Sequence, residues 1–533
     1  MPKLPNIPDS EQTPTVKALL GLLEECIELI QKQSEEIQQL KDEIRVLKDE
    51  KKRPTFKPSK LEKETDKAGK KKSVQSGKRP GSDKRSKNAK LVIHEENIIK
   101  PAQVIPEGSR FKGYRDFVVQ DLKIQSHNIR YRLARWISPD GETLTGQLPR
   151  ELNNQHFGPQ LIRYILYQHH HCQVTQPLLL EQLRDWQVDI SAGEINALLS
   201  AGKNDFHREK NEILSAGLTT SGHITVDDSG ARHQGNNGYV THIGNAAFAW
   251  FQSTQSKSRI NFLELLCSVE PGYRINDDAQ AYWQQQKLPT QPKMQLTQNP
   301  VCHFSEAVAW EAHLDQLGIT NTRHRRIATE GALLGNLQHH HRCHDLIIVS
   351  DDAGQVNLLQ HALCWVHTER LVHTMIPLNE NHREDIAKVR GDIWGFYAEL
   401  KAYKTTPKKR KKKALSDRFD RIFQQKTRYQ CLNRTLKRIH ANKTELLLVL
   451  ERPDIPLHTN GSERDIRDYV KKKKISGGTR SDLGRQCRDT FISLKKTCRK
   501  QNISFWQYLL DRLKQTNEIP WLPDLIAKSA PGY

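Results

Sequence analysis

Three acidic segments of this chain carry carboxylates in settings that phosphoryl chemistry uses. GHITVDDSG (222–230) and DLIIVSDDAG (345–354) each place paired aspartates, Asp227–Asp228 and Asp351–Asp352, after a short apolar strand. LHTNGSERDIR (457–467) places Glu463 beside Arg464, just ahead of the lysine run at 471–474. Functional groups of an α/β sheet gather at the carboxyl ends of its strands, although an acid there serves equally well to cap a turn. Glu463 has two readings, a salt-bridged surface residue or the holder of a cation that a basic surface cannot supply. Mg²⁺ and Mn²⁺ are hard ions that take carboxylate oxygens, and a pair of them can assist displacement at a phosphodiester. Carboxylates far apart in sequence satisfy that requirement if the fold brings them together. Neighbouring strand residues point to opposite faces, so one aspartate of each pair is expected to face such ions. The first of each, Asp227 and Asp351, is the choice; Asp228 and Asp352 stay as alternatives, because both strands are expected to end before the pair.

The rest of the composition favours a polyanionic partner for these acids. The 533 residues carry a formal net charge of +21 at a pI of about 9.5, with only 36% hydrophobic residues and a mean hydropathy of -0.72. Such a balance points to nucleic acid, and the low apolar content points to exposed or disordered portions beside a folded centre. No apolar run reaches the roughly 18 residues that span a bilayer, and the first residues lack a signal peptide's apolar region. The nine cysteines are scattered without a CxxC pair, which disfavours a secreted disulfide scaffold.

The elements that must position the acids follow from pattern. Residues 1–50 read as a coiled-coil oligomerisation helix: Leu23, Ile30, Ile37 and Ile44 recur every seven residues, with Cys26, Gln33, Leu40 and Leu47 in the second seam position. Residues 51–90 lose all periodicity and hold 16 Lys or Arg against 4 Asp or Glu, a disordered basic linker able to meet phosphates without sequence preference. Short apolar pieces and turn signals predict a small mainly-β module over 91–150. A helical module follows over 151–215. Within it, a helix, a break around Val188 to Ile190, and a second helix capped by Ser191 with Glu194 three residues on resemble a DNA-binding helix-turn-helix. A strand-rich region opens the part 216–376, helices begin at 356, a helical insertion interrupted by the basic loop KTTPKKRKKKALSD fills 377–455, and 456–533 brings the glutamate segment and terminal helices. Strands followed by helices give an α/β layer with helical decoration.

The segments ITVDDSGARH (224–233), IIVSDDAGQ (347–355), LCWVHTERL (363–371) and IPLHTNGSERDIR (455–467) resemble those of bacterial DDE transposases of the Insertion Sequence 66 family. The likeness covers about 220–510, and its most specific match is the Asn-x-x-Glu-Arg segment. It implies a ribonuclease-H-like catalytic core with a helical insertion, in which Asp227, Asp351 and Glu463 are the triad holding two Mg²⁺ ions that Mn²⁺ can replace. It implies cleavage at the ends of a mobile element and transfer of the freed 3′-hydroxyl to target DNA, by a homo-oligomer at least dimeric, in the bacterial cytoplasm near the nucleoid. Asn460 and Arg464 accompany the glutamate in that segment, and Cys364, Trp365, His367 and Arg370 match the Cys-Trp-x-His-x-x-Arg segment. Double-stranded DNA is expected along Asn460, Arg464, Arg467, Lys471, Lys472, Lys473, Lys474, Arg480 and Arg485, with His367 and Arg370 beside the acids. The alternatives are an inactive DNA-binding descendant and a nuclease on the same fold that cuts without joining.

One departure from the family pattern stands out. Many members carry a cysteine-rich zinc finger after the coiled coil, whereas residues 51–170 contain no cysteine. The cluster HHHC (169–172) falls in a helical run that cannot wrap one ion, so no structural zinc is expected. HHHRCH (339–344) reads as a loop or DNA-contact patch. Cys364 and His367, three apart, have the spacing of a thiol–imidazole pair, although Leu363 and Trp365 favour packing for the thiol.

Overall fold

The computed structural model describes residues 91–529 except 104, 153, 154 and 342, together with scattered positions between 13 and 33. The basic linker and most of the expected coiled coil therefore lie outside the described residues; those described between 14 and 33 are helical. The chain divides into two units, one of residues 1–54, 130–185 and 189–533, the other of 55–129 with 186–188. In the second unit the described residues carry neither helix nor strand, and Ile99 and Phe117 are fully exposed. Of the strands expected over 91–150, the first unit holds one hairpin, β1 (Arg135–Ile137) with β2 (Thr143–Thr145), turned at Gly141 with φ 81°.

The first unit is built on a mixed five-stranded sheet. Its strands are β3 (His223–His233), β4 (Asn236–Gly244), β5 (Ala249–Thr254), β8 (Ile347–Ser350) and β9 (Gln360–Leu363), in the order β5-β4-β3-β8-β9. The first three form an antiparallel meander, and β8 and β9 run parallel to β3. The β3–β4 turn uses only Gln234 and Gly235, both at positive φ, as a two-residue hairpin of matching twist requires. A pair of two-residue strands, β6 (Tyr273–Arg274) and β7 (His303–Phe304), lies outside this sheet. Contrary to the expected strand-rich region, five helices occupy 259–341: α5 (Arg259–Leu266), α6 (Asp277–Gln285), α7 (Thr290–Thr297), α8 (Ala307–Gln316) and α9 (Thr322–His341).

β3 overturns one expectation. It does not stop before the aspartate pair but runs on to His233, pairing Asp227 with His242 and Asp228 with Thr241 across to β4. The long hairpin supplies a partner strand beyond the acids, so strand geometry persists and the two side chains take opposite faces. Asp351 and Asp352 do follow the end of β8.

The helical module contains α1 (Pro159–His170), α2 (Gln176–Asp185), α3 (Ala192–Ser200) and α4 (Asn204–Thr220), and α3 has the expected capping box of Ser191 and Glu194. α3 holds no Lys or Arg, and its buried Ile195 and Leu199 pack inward. The module is fastened to the C-terminal helices α15 (Asn460–Ser476), α16 (Asp482–Lys500), α17 (Phe505–Lys514) and α18 (Leu522–Lys528). Glu209 of α4, fully buried, accepts from Tyr508 Oη, from Arg512 through both carboxylate oxygens, and from the Leu522 amide. A buried carboxylate tolerates its desolvation only with that many donors.

α16 covers the outer edge of the sheet. Asp489, Ser493 and Thr497, spaced four apart on one helix face, accept from the Ser253, Phe251 and Ala249 amides at 2.7, 2.9 and 3.1 Å. An edge strand with free amides is open to pairing with another chain; here the helix satisfies alternate donors along β5.

The helical region after β9 contains α10 (Trp365–His373), α11 (Glu380–Thr405), α12 (Lys409–Phe423), α13 (Gln430–Ala441) and α14 (Lys443–Leu447). The basic stretch expected as a loop is mostly helix: after Pro407 the run Lys409 to Lys413 begins α12, whose inner face buries Leu415, Phe419, Ile422 and Phe423. Lys and Arg are good helix formers, and this apolar face stabilises the turns that carry them. The insertion shares one core with β8 and β9. Trp365 lies at its centre, against Phe396, Phe419 and Phe423, with its indole N–H donated to the Leu446 carbonyl at 3.1 Å. Burying each such ring contributes about 2–3 kcal/mol.

Candidate active site

Asp227 lies on the face of β3 that receives α15. Thr225, two residues earlier on that face, accepts a hydrogen bond from Ser462 at 2.6 Å, and Ser462 precedes Glu463. Glu463 occupies the first turn of α15, its amide donating to the Thr459 carbonyl at 3.0 Å. The segment entering α15 is tied to the start of α10, because the Trp365 amide donates to the Leu457 carbonyl at 2.9 Å. β3, β8, α10 and α15 thus converge on one place.

The electrostatics there are those of carboxylates brought together. Burial pushes the Asp227 carboxyl up to about 7; the nearby His367 pulls the other way, while the charges of Glu463 and Asp351 add to the rise. Glu463 Oε1 stands 3.5 Å from both His367 Nε2 and Arg370. Burial pushes the Cys364 thiol up, but the adjoining His367 imidazole brings it below its ordinary value. Cys364 is almost wholly buried at the N-cap of α10.

Their neighbours in the two pairs are engaged otherwise. Asp228, on the opposite strand face, accepts from Thr241 at 2.6 Å and Gln355 at 3.2 Å and lies 3.7 Å from Lys257. Asp352 accepts from Arg438 of α13 at 2.7 Å. Asp351 is exposed, and the Ser350 hydroxyl donates to its main-chain carbonyl.

Three carboxylates, one of them held near neutrality by the other two and by burial, have the donor chemistry of a site for a hard divalent ion, whose charge offsets that strain. Among the described residues no group of three or more His, Cys, Asp or Glu is set closely enough to hold an ion as placed; Glu463 is drawn instead to His367 and Arg370.

The cationic residues separate into two groups. Arg464, Arg467, Lys471 and Lys474 are exposed and spaced three, four and three apart, a single stripe along α15 about 15 Å long. Lys472 is buried, contrary to its expected place on a DNA-facing rim. Its ammonium donates to the His169 carbonyl at 3.0 Å, and burial, with Arg488 and Lys495 nearby, lowers it to about 8. The last carbonyls of α1 lack helix partners, and Lys472 and Lys495, the latter bonded to the His170 carbonyl at 3.4 Å, cap them. Lys473 reaches back to the Gly230 carbonyl of β3. Arg485 pairs with Asp482 at 2.9 Å, and Arg480 is exposed. Asn460 opens α15, and its carbonyl accepts from Arg464 at 3.3 Å.

The residues that fix α15 were not legible beforehand. Asp465 lies 2.9 Å from Lys500, 3.5 Å from Lys496 and 3.5 Å from His242, and Asp468 lies 2.8 Å from Lys496. Burial acts to raise Asp465, but the His242 hydrogen bond and Lys500 hold it far below the usual carboxylate range. Their only signal was a pair of acids three residues apart, flanking the cationic stripe on the same helix. HHHC straddles the end of α1, and His339–His341 close α9 rather than forming a loop.

Two comparisons relate the chain to known proteins. The family described as Transposase IS66 family matches residues 347–487, which include Asp351 and Glu463. The uncharacterized protein y4jO of Sinorhizobium fredii is 43% identical over 303 residues, covering 56% of this chain and 94% of that protein.

Proposed function

The chain belongs to the IS66 family of transposases, and from that membership we propose that it cuts DNA at the ends of a mobile element and joins the freed 3′-hydroxyl to target DNA. The observation that carries this reading is the convergence of three carboxylates distant in sequence: Ser462, beside Glu463, bonds Thr225 on the β3 face that holds Asp227, and β8, which pairs with β3, ends just before Asp351. The strand order β5-β4-β3-β8-β9, with the first acid on the central strand and the last on a helix across it, supports a ribonuclease-H-like core. Asp227, Asp351 and Glu463 hold the metal ions; Asp228 and Asp352, already partnered, do not. Mg²⁺ ions, or Mn²⁺ in their place, supply electrophilic assistance at the scissile phosphate when bound there.

The chain's own groups do the rest. Arg370 and His367 face the same carboxylate as the reacting phosphate and help to orient it. The stripe of Arg464, Arg467, Lys471 and Lys474, joined by Arg480, holds the DNA backbone, which fixes register without reading sequence. Hydrolysis and strand transfer are both in-line displacements at phosphorus, so one set of acids serves both. The heptads of 16–50 bring chains together as a dimer or larger assembly, placing two DNA ends within reach. No helix among the described residues is long and apolar enough to cross a membrane.

The test is to incubate the full chain with labelled DNA carrying the inverted repeats that flank its gene, in Mg²⁺ and separately in Mn²⁺. Cleaved ends and joined product are expected. Silence under both ions contradicts the reading, and cleavage without joining converts it to a nuclease.

A further inference from the structure

A cavity of about 340 Å³ opens beside Asp351. α10 contributes Arg370 and Leu371, α13 contributes Arg438 and Ile439, and α14 contributes Leu446. Buried Leu363, Cys364, Ile439 and Leu446 give it an apolar floor, and Asp351, Arg370 and Arg438, all less buried, line its rim. Binding pockets for small molecules begin at about 300 Å³, so this one admits a nucleobase with its sugar. It excludes a duplex, whose major groove alone is about 12 Å wide.

The chemistry of the lining narrows the occupant. Neither a metal ion nor a phosphate gains from an apolar floor, whereas the face of a nucleobase does. Asn442, also on the wall, offers a donor and an acceptor to a base edge. Guanidiniums on the rim suit the phosphates on either side of such a nucleotide. Arg438 is free to move, because its pairing with Asp352 is exposed, at 60% and 44% of the two side chains, and exposed pairs contribute little.

We propose that this cavity receives one unpaired nucleobase of the DNA strand adjoining the scissile phosphate, with Arg438 released from Asp352 to the neighbouring phosphate. The proposal rests on the transposase reading and adds to it a seat for the reacting strand, formed where the helical insertion meets the catalytic sheet. Unstacking is least costly at a base that has no partner, so the preference is largest on DNA that already has one.

Fluorescence anisotropy in Ca²⁺ buffer can compare the binding of the full chain to three labelled DNAs of one sequence. These are a blunt duplex, the duplex with one unpaired thymidine at a strand end, and the same with an abasic deoxyribose there. The unpaired base is expected to bind about tenfold more tightly than its abasic counterpart, in line with the burial of roughly 55 Å² of apolar base surface. Leu371→Glu, which puts a charge against the apolar lining, brings the two to near equality, and Asn442→Glu does the same from the wall should the first variant fold poorly. Equal affinity for the base and abasic DNAs in the unmodified chain overturns the proposal, and so does a preference that survives both substitutions in folded protein. Absence of binding to all three DNAs, the blunt duplex included, overturns the transposase reading and this proposal with it.

Discussion

Glu463→Gln is expected to abolish strand cleavage and joining together, lowering each at least about a thousandfold, while DNA affinity stays within about threefold because phosphate contacts elsewhere carry it. The substitution keeps the size of the side chain and removes only its charge. It leaves α15 in place, since that helix is held by Ser462 against Thr225 and by Asp465 and Asp468 against Lys496 and Lys500, none of which involves Glu463. What is lost is the carboxylate that Asp227 senses and that His367 and Arg370 face. Parallel gel assays of cleavage, joining and binding check this, with the thermal midpoint as a control for folding. Cleavage retained in a folded Glu463→Gln protein removes this residue from the acid triad.

Asp227→Asn is expected to remove activity to a similar extent and, in metal-free buffer, to stabilise the protein. The sign follows from the raised carboxyl. An unfolded aspartate ionises near 3.9, whereas the folded one, pushed by burial and by the other two acids, ionises at about 7. Between these values the folded chain holds a proton that the unfolded chain has lost, so stability falls as pH rises and the full penalty is present above 7. Asparagine carries no such penalty. In EDTA at pH 8 the variant is expected to melt about 3–5 °C higher than the parent. The gap narrows as pH is lowered from 7 and closes near 4. Scanning fluorimetry across that range is the check, and a variant that melts lower than the parent at pH 8 contradicts the electrostatic reading of the site. On the proposed reading, stability given up where the acids meet is the cost of holding them ready for a cation.

The strands leading into Asp227 and Asp351 and the capping box on α3 were legible because each rests on local pattern, whereas the five helices of 259–341 fall where strands were expected; α9 buries an unbroken run from Ile327 to Leu333 and so shows no amphipathic stripe. The continuation of β3 through Asp227 and Asp228 was not legible either, because it depends on the pairing supplied by β4 across a turn. The lysine run misled for a related reason. Four identical residues on a helix cannot share one environment, and the 3.6-residue repeat sends Lys472 inward to the end of α1 while Lys471 and Lys474 stay in solvent. Composition registers the charge of such a run and says nothing of its direction. The match of Asp465 and Asp468 to the lysines of α16 was equally hidden, since ion pairs between distant helices leave no periodic trace. Trp365 read as part of a functional segment, and it is the centre of the core that joins the helical insertion to the sheet.

The most direct measurement of the central claim, that Asp227, Asp351 and Glu463 form one metal centre, is Mn²⁺ binding by the DNA-bound full chain, followed through the electron paramagnetic resonance signal of the free ion. Asp227→Asn, Asp351→Asn and Glu463→Gln should each weaken binding at least about tenfold, while Asp228→Asn and Asp352→Asn leave it near that of the parent. Binding that is indifferent to the first three substitutions, or that is lost with the last two instead, contradicts the assignment.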